Sequence, residues 1–314
     1  MFQPESAEPA ADASEAAAEG FNAGEVIIEH VANSPIDHPL IHLPTIGGID
    51  FSVTKQVFML WLVAGVILIF LALAGRQLRR GGKGAAPSGI GNFLEFIIEF
   101  VRDSIVGPAV GSKWVNSYTP LLLTLGLFIL VANLFGLVPI FDVLALLNHT
   151  VLHLPEDSFL TKVTHGGVTA TGNFNVTAAL ATVSFFAIII AGIRAHGFLG
   201  HWKNMVPHGV PKAIVPFLIV IEIMGMFVRP FALTMRLAAN MAGGHIAILA
   251  LLSFVFIFAE LYSSAITGIG IGFVFSLPMA VGISLLEIIV VGVQAYVFTL
   301  LTATFIGMAI HAHH

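Results

Sequence analysis

The sequence predicts an all-α, polytopic membrane protein of five passages, and three observations carry that expectation. Only 10% of the 314 residues are charged and 57% are hydrophobic, whereas soluble domains run near 25% charged; mean hydropathy is +0.95. The apolar residues gather into runs long enough to cross a ~30 Å hydrocarbon core. Lysine and arginine alternate between the intervening segments: none before Lys55, six over 76–113, one over 142–172, three over 194–212 and none over 259–270. By the positive-inside bias this fits an N-terminus outside and a C-terminus in the cytoplasm.

Composition also excludes function classes. There is no cysteine, so no disulfide, thiolate metal site or cysteine nucleophile. The net charge of −5 arises at one end, because nine of the eighteen acids lie in residues 1–50. No basic arm suggests nucleic acid, and neither GxSG nor HExxH suggests an intramembrane protease. Gly81, Gly82 and Gly84 are followed by no GK[ST] and make no phosphate loop. No cofactor or metal is expected. No internal repeat supports an inverted-repeat transporter, and the first twenty residues have no signal-peptide pattern.

Taken in order, residues 1–50 form an acidic, partly disordered extracytoplasmic segment, with 1–20 too poor in apolar side chains to fold and a short surface helix at about 23–33. His30, His38 and His42 read as solvated tail residues. Residues 51–314 form a single membrane domain. Its first span is about 53–75, followed by a basic anchor at Arg76, Arg79, Arg80 and Lys83. About 91–106 alternates Glu95, Glu99, Arg102 and Asp103 with Phe93, Phe96, Ile97 and Phe100, as a helix lying in the interface or on a partner does. The second span, 119–139, carries Asn133, and its apolar run extends toward Leu147. A polar loop at 148–172 leads to the third span, 173–193, and a His- and Lys-bearing loop occupies 194–212. The last two stretches, about 213–258 and 271–310, are separated by Glu260 and a Gly/Ser/Thr turn. A 46-residue helix would run ~69 Å, so each is either one steeply tilted helix or two, broken at Pro216, Pro230 or Pro278. His311, His313 and His314 read as a frayed polar tail.

From residue 213 onward only Glu222, Arg229, Arg236, Glu260 and Glu287 are charged. An arginine at bilayer depth costs at least ~2.5–3.5 kcal/mol and cannot escape by losing its proton. Glu222, Arg229 and Arg236 are seven apart, so each lies ~20° round a continuous helix from the last and ~10.5 Å along it. Asn240 extends that face, and Glu287 and Gln294 form a second stripe. Such stripes must face each other, a partner or water. Arg229 reads as structural support paired with Glu222. Arg236 has no acid within a helical turn and is followed by Ala238, Ala239, Ala242, Gly243 and Gly244, which admit another helix. It is the functional charge. His245 and Glu287 read as a proton-relay pair, His245 standing ~180° round the helix from Arg236. Asn133 and Gln294 are either interhelical glue or lining of a water path.

The run RPFALTMRLAANMAGGH, with Glu222 upstream and EIIVVGVQAYVFTLLT near the end, resembles subunit a of rotary F-type ATP synthases. EHVANSP near the N-terminus, NLFGLVP around Asn133 and FNVT around Asn175 match the same pattern, so the resemblance covers most of the chain from about His30. It implies a non-catalytic stator subunit in a bacterial inner membrane, with a c-subunit rotor ring, peripheral-stalk b subunits and the lipid bilayer as partners. The last two passages would then be a hairpin against the ring. The resemblance makes Arg236 the arginine facing the ring, with Asn240 and Gln294 beside it. Glu222 lies near the cytoplasmic exit, and His245 and Glu287 on the outer path. Two departures fall at Gly136 and Asn173, where some relatives have acids; with Asn133 and Asn175 these bear on the lining of the outer path. The rival reading is a free-standing channel or secondary transporter for an anionic substrate. Copurification with a c ring separates the two.

Overall fold

The computed structural model describes residues 22, 24, 27–28, 40–41, 43–44, 52–80, 89–138, 144, 146–155, 158, 161, 163, 170–203, 211, 213–262 and 264–311. The expected disordered start, the tail histidines His30, His38 and His42, Lys83 with its glycines, and His313 and His314 lie outside these residues. Of the expected surface helix, 24, 27 and 28 are helical.

Among the described residues five segments are long and apolar enough to cross a membrane. The first, α1 (Lys55–Arg80), runs past the expected end at 75, because arginine and glutamine are good helix formers that hydropathy alone discounts. Val53 stands outside it, in an isolated antiparallel bridge with Ile41. The expected interfacial helix is three pieces: α2 (Gly89–Glu99), a π-helical stretch Phe100–Val106, and α3 (Gly107–Val110). The Gly107 amide bonds back to the Arg102 carbonyl, and Pro108 follows with no N–H to restore the ordinary ladder. Gly91, Leu94, Val101 and Ile105 are buried, whereas Phe93, Phe96 and Phe100 remain exposed. The element is therefore apolar on two sides, one for the protein and one for lipid.

The second span, α4 (Val115–Leu137), ends before Pro139, with Val138 extended as a residue preceding proline prefers. Beyond it, a buried Asn148 donates to Thr161 and accepts from the Leu154 amide. The third span is α5 (Phe174–His196), capped by Asn173, whose side chain accepts from the Asn175 amide at 2.8 Å. Part of the expected loop after it is helical: α6 (Phe198–Lys203) folds back on α5 through Gly197 at φ +76°.

The long stretches do not break. α7 (Val215–Leu261) is one helix through Pro230; Pro216 lies in its first turn, where its missing N–H costs nothing. The expected Gly/Ser/Thr turn shortens to a few residues, because Ser264 caps α8 (Ala265–Ile271). A π-helical stretch Gly272–Ser276 then leads into α9 (Leu277–Ile310). Pro278 thus follows a widened turn, as Pro108 does, rather than a break.

The chain forms two compact units. The larger, Asn33–Ala242 with Ile288–His314, has two main cores. One gathers Val101, Ile105, Tyr118, Leu122, Ile188, Ala191 and Ile306; the other gathers Leu125, Ile129, Ala181, Leu233, Leu237 and Phe298. Close approach depends on small residues, since a Cβ on Gly307 would strike the Ala109 carbonyl. His311, expected to fray, is held by the Val110 carbonyl at 3.0 Å, and His196 bonds the Ile310 carbonyl at 2.9 Å. These satisfy acceptors that helix ends leave open. In the smaller unit, Met1–Ala32 with Gly243–Glu287, Gly268 and Gly272 let α8 and the following turn lie directly on Val255 and Ala259 of α7.

Candidate ion-translocation site

In the larger unit α7 carries Glu222, Arg229, Arg236 and Asn240 in helical register. Leu233 and Leu237 flank Arg236 in sequence and are 2% and 1% exposed. They pin this turn into the core, while Arg236 itself is exposed. From α9 it meets one polar and one apolar side chain, Gln294 and Phe298. Gln294, buried, donates from Nε2 to the Arg236 backbone carbonyl at 2.8 Å and accepts from Asn240 Nδ2 at 3.0 Å. Leu233, Arg236, Leu237, Gln294 and Phe298 line a small crevice there. Among the described residues no carboxylate pairs with Arg236.

Arg229 differs. Its guanidinium is 3.4 Å from Glu222 and lies over the Phe305 ring at 5.3 Å, so both its charge and its flat face are engaged. Glu222 remains 43% exposed. The acid partner was legible in the spacing; Phe305, 76 residues beyond Arg229, carried no signal in the sequence.

The smaller unit holds the other expected pair. His245 Nδ1 and Glu287 Oε1 are 3.8 Å apart, with the Glu287 side chain 5% exposed. Neither atom has a hydrogen-bond partner among the described residues. This separation exceeds a hydrogen bond. Gly244 makes room for the pair, since a Cβ at that position would overlap the Glu287 carboxyl. Gly244 was read from sequence as one of several small residues for helix approach; its specific role as a seat for Glu287 was not visible.

The remaining expected residues lie in the larger unit and do not join Arg236. Asn133 is 1% exposed, and its side-chain oxygen has no partner among the described residues. Gly136 is buried one turn on, where no side chain adds a charge. Asn173 caps α5 and Asn175 is exposed.

A profile of the family described as ATP synthase A chain matches residues 57–307. The chain is 36% identical to ATP synthase subunit a 2 of Chlorobium luteolum, aligning 98% of this chain with 80% of that protein. It is 37% identical to ATP synthase subunit a 2 of Prosthecochloris aestuarii, over 92% of this chain and 80% of the relative. With ATP synthase subunit a of Chloroherpeton thalassium it shares 37% identity over 88% and 72%.

Proposed function

We infer the function from a plain premise: the chain belongs to the ATP synthase A chain family, a non-catalytic, multi-pass membrane subunit of the proton-translocating Fo sector. As a member it associates with the c ring and other subunits of that sector. Beyond this coarse role, the reading we propose is a stator with two offset proton half-channels, separated by Arg236. Its N-terminus lies outside and its C-terminus in the cytoplasm of a bacterial inner membrane, and peripheral-stalk b subunits hold it.

The observation that carries this reading is an exposed Arg236, without a carboxylate among the described residues, on a turn held by Leu233, Leu237 and Gln294. A rotor carboxylate crossing lipid must be neutral, because an isolated ion in hydrocarbon is prohibitively costly. Beside Arg236 its ionised form is favoured, and its proton leaves by the path near Glu222. After rotation it is reprotonated through His245 and Glu287. Arg236 has no accessible neutral state at physiological pH, so it cannot relay a proton from one path to the other. Each charge crossing 100 mV supplies ~2.3 kcal/mol, which the ring turns into torque.

The test is Arg236→Ala in membrane vesicles. Assembly with the c ring should persist while ATP-driven proton pumping is abolished. Normal pumping by that variant sinks the mechanism, and purification free of any c ring would favour a free-standing transporter.

A further inference from the structure

We propose that the basic end of α4 and α5 binds an anionic phospholipid by its phosphate headgroup, a contact separate from the proton path. Lys113 stands two residues before α4, Arg194 lies in the last turn of α5, and Lys203 closes α6. All three are exposed. Trp114, next to Lys113, and Ala195, next to Arg194, pack against the same core. Lys113 Nζ sits 5.4 Å over the Trp114 ring, and Trp114 packs against Tyr118 at 6.1 Å. Across Gly192 the chain returns: His201 of α6 fills the space a Cβ would need there, and the α6 backbone rests on α5.

Charge complementarity identifies the occupant. Between Ser104 and Ile221 the only acids are Asp142, Glu156 and Asp157, all in the segment joining the opposite ends of α4 and α5. On the neighbouring arm Asp103 is held by Arg102 at 2.7 Å, leaving Glu95 and Glu99. Lys113, Arg194 and Lys203 pair with no carboxylate among the described residues. A permanent anion is wanted, and the flanking chemistry is that of a bilayer interface. Phe198, Leu199 and Trp202 of α6 are 63%, 82% and 41% exposed, an apolar surface beside three cations. Tryptophan and aromatic rings settle at headgroup level, and lysine and arginine there attract anionic lipid. A free phosphate would use the cations and leave this apolar surface in water, so the lipid is the better fit.

The measurement is retention of phosphatidylglycerol by the intact complex containing this chain, against phosphatidylcholine, by native mass spectrometry after detergent exchange. Each basic residue near the surface should contribute about 5-fold in affinity, and Lys113→Gln, Arg194→Gln and Lys203→Gln together on the order of 100-fold. Arg102→Gln, whose charge is already paired, should leave retention unchanged. Wild-type retention should also fall as salt rises through ~0.1 M, where exposed charges are screened beyond about 10 Å. That arm needs no variant. Equal retention of the two lipids, insensitivity to salt, or a triple variant that binds as wild type each overturns the proposal. Displacement of the lipid by free inorganic phosphate at low millimolar concentration would overturn it too, by showing an anion site that does not read the bilayer.

Discussion

Gln294 donates its side-chain amide to the backbone carbonyl of Arg236 at 2.8 Å. The bond ends on the main chain, so Gln294 fixes the position of the turn from which Arg236 projects and leaves the guanidinium itself unengaged. Its other end holds Asn240 at 3.0 Å, one turn further on. One side chain from α9 therefore sets the local geometry of two residues on α7.

This gives a prediction about charge and pH. Gln294→Leu removes two hydrogen bonds, each worth roughly 1 kcal/mol, and should lower ATP-driven pumping several-fold while the complex assembles. In Gln294→Glu an ionised carboxylate can no longer donate to the Arg236 carbonyl. Pumping by this variant should recover, relative to wild type, as pH falls and the carboxyl regains its proton. A flat pH ratio would show that the bond is incidental.

His245 and Glu287 lie 3.8 Å apart, and neither facing atom has a hydrogen-bond partner among the described residues. Exchanging them should preserve the pair. His245→Glu alone is expected to impair pumping severely, and adding Glu287→His should restore part of it. Non-additivity of this kind is how contact between two residues is detected. A double variant no better than the single would count against coupling.

Two adjacent glycines supply a matched control. A Cβ at Gly244 would overlap the Glu287 carboxyl, whereas at Gly243 nothing lies within 4 Å. Gly244→Ala should therefore displace Glu287 and cut pumping about tenfold, since ångström misplacements in such sites cost one to two orders of magnitude. Gly243→Ala should pump normally. Both can be read in one vesicle assay with subunit content checked by immunoblot, and equal behaviour of the two would remove Glu287 from the path.

Burial, and secondarily the nearby His196, push the His201 imidazole below its ordinary range. His201 lies against Gly192 and docks α6 on α5. The depressed folded value means that the unfolded segment binds more protons below about pH 6.5. Docking is thus fully present above that pH and weakens as pH falls through it. Hydrogen exchange of the 198–203 amides should accelerate on acidification in the wild type. His201→Leu should exchange at a rate independent of pH after correction for intrinsic chemistry. Unchanged protection in the wild type would refute the linkage.

Much of the site was legible because it breaks a rule. Arg236, Arg229, Glu222 and Glu287 stand out since each is expensive among apolar residues, and the heptad spacing of Glu222 and Arg229 anticipated their 3.4 Å pairing. Asn173 is a candidate for the outer path on resemblance, and its side chain also caps α5, a local role that its place just before an apolar run signals. His311 looked like a free end because sequence shows no partner for it; the partner is a carbonyl 201 residues earlier.

Five apolar passages and the polar residues inside them follow from the sequence alone. Whether a residue can bear lipid, and whether a backbone must close its hydrogen bonds within a helix there, are properties of that residue and its near neighbours. What only the tertiary structure decided is which distant groups meet. It took α7 unbroken through Pro230 and Pro278 past a widened turn. It set Gln294 on the Arg236 carbonyl, Phe305 under Arg229, and Glu287 in the space that Gly244 leaves. These contacts depend on how side chains of different helices interlock, and no period within a single helix encodes that.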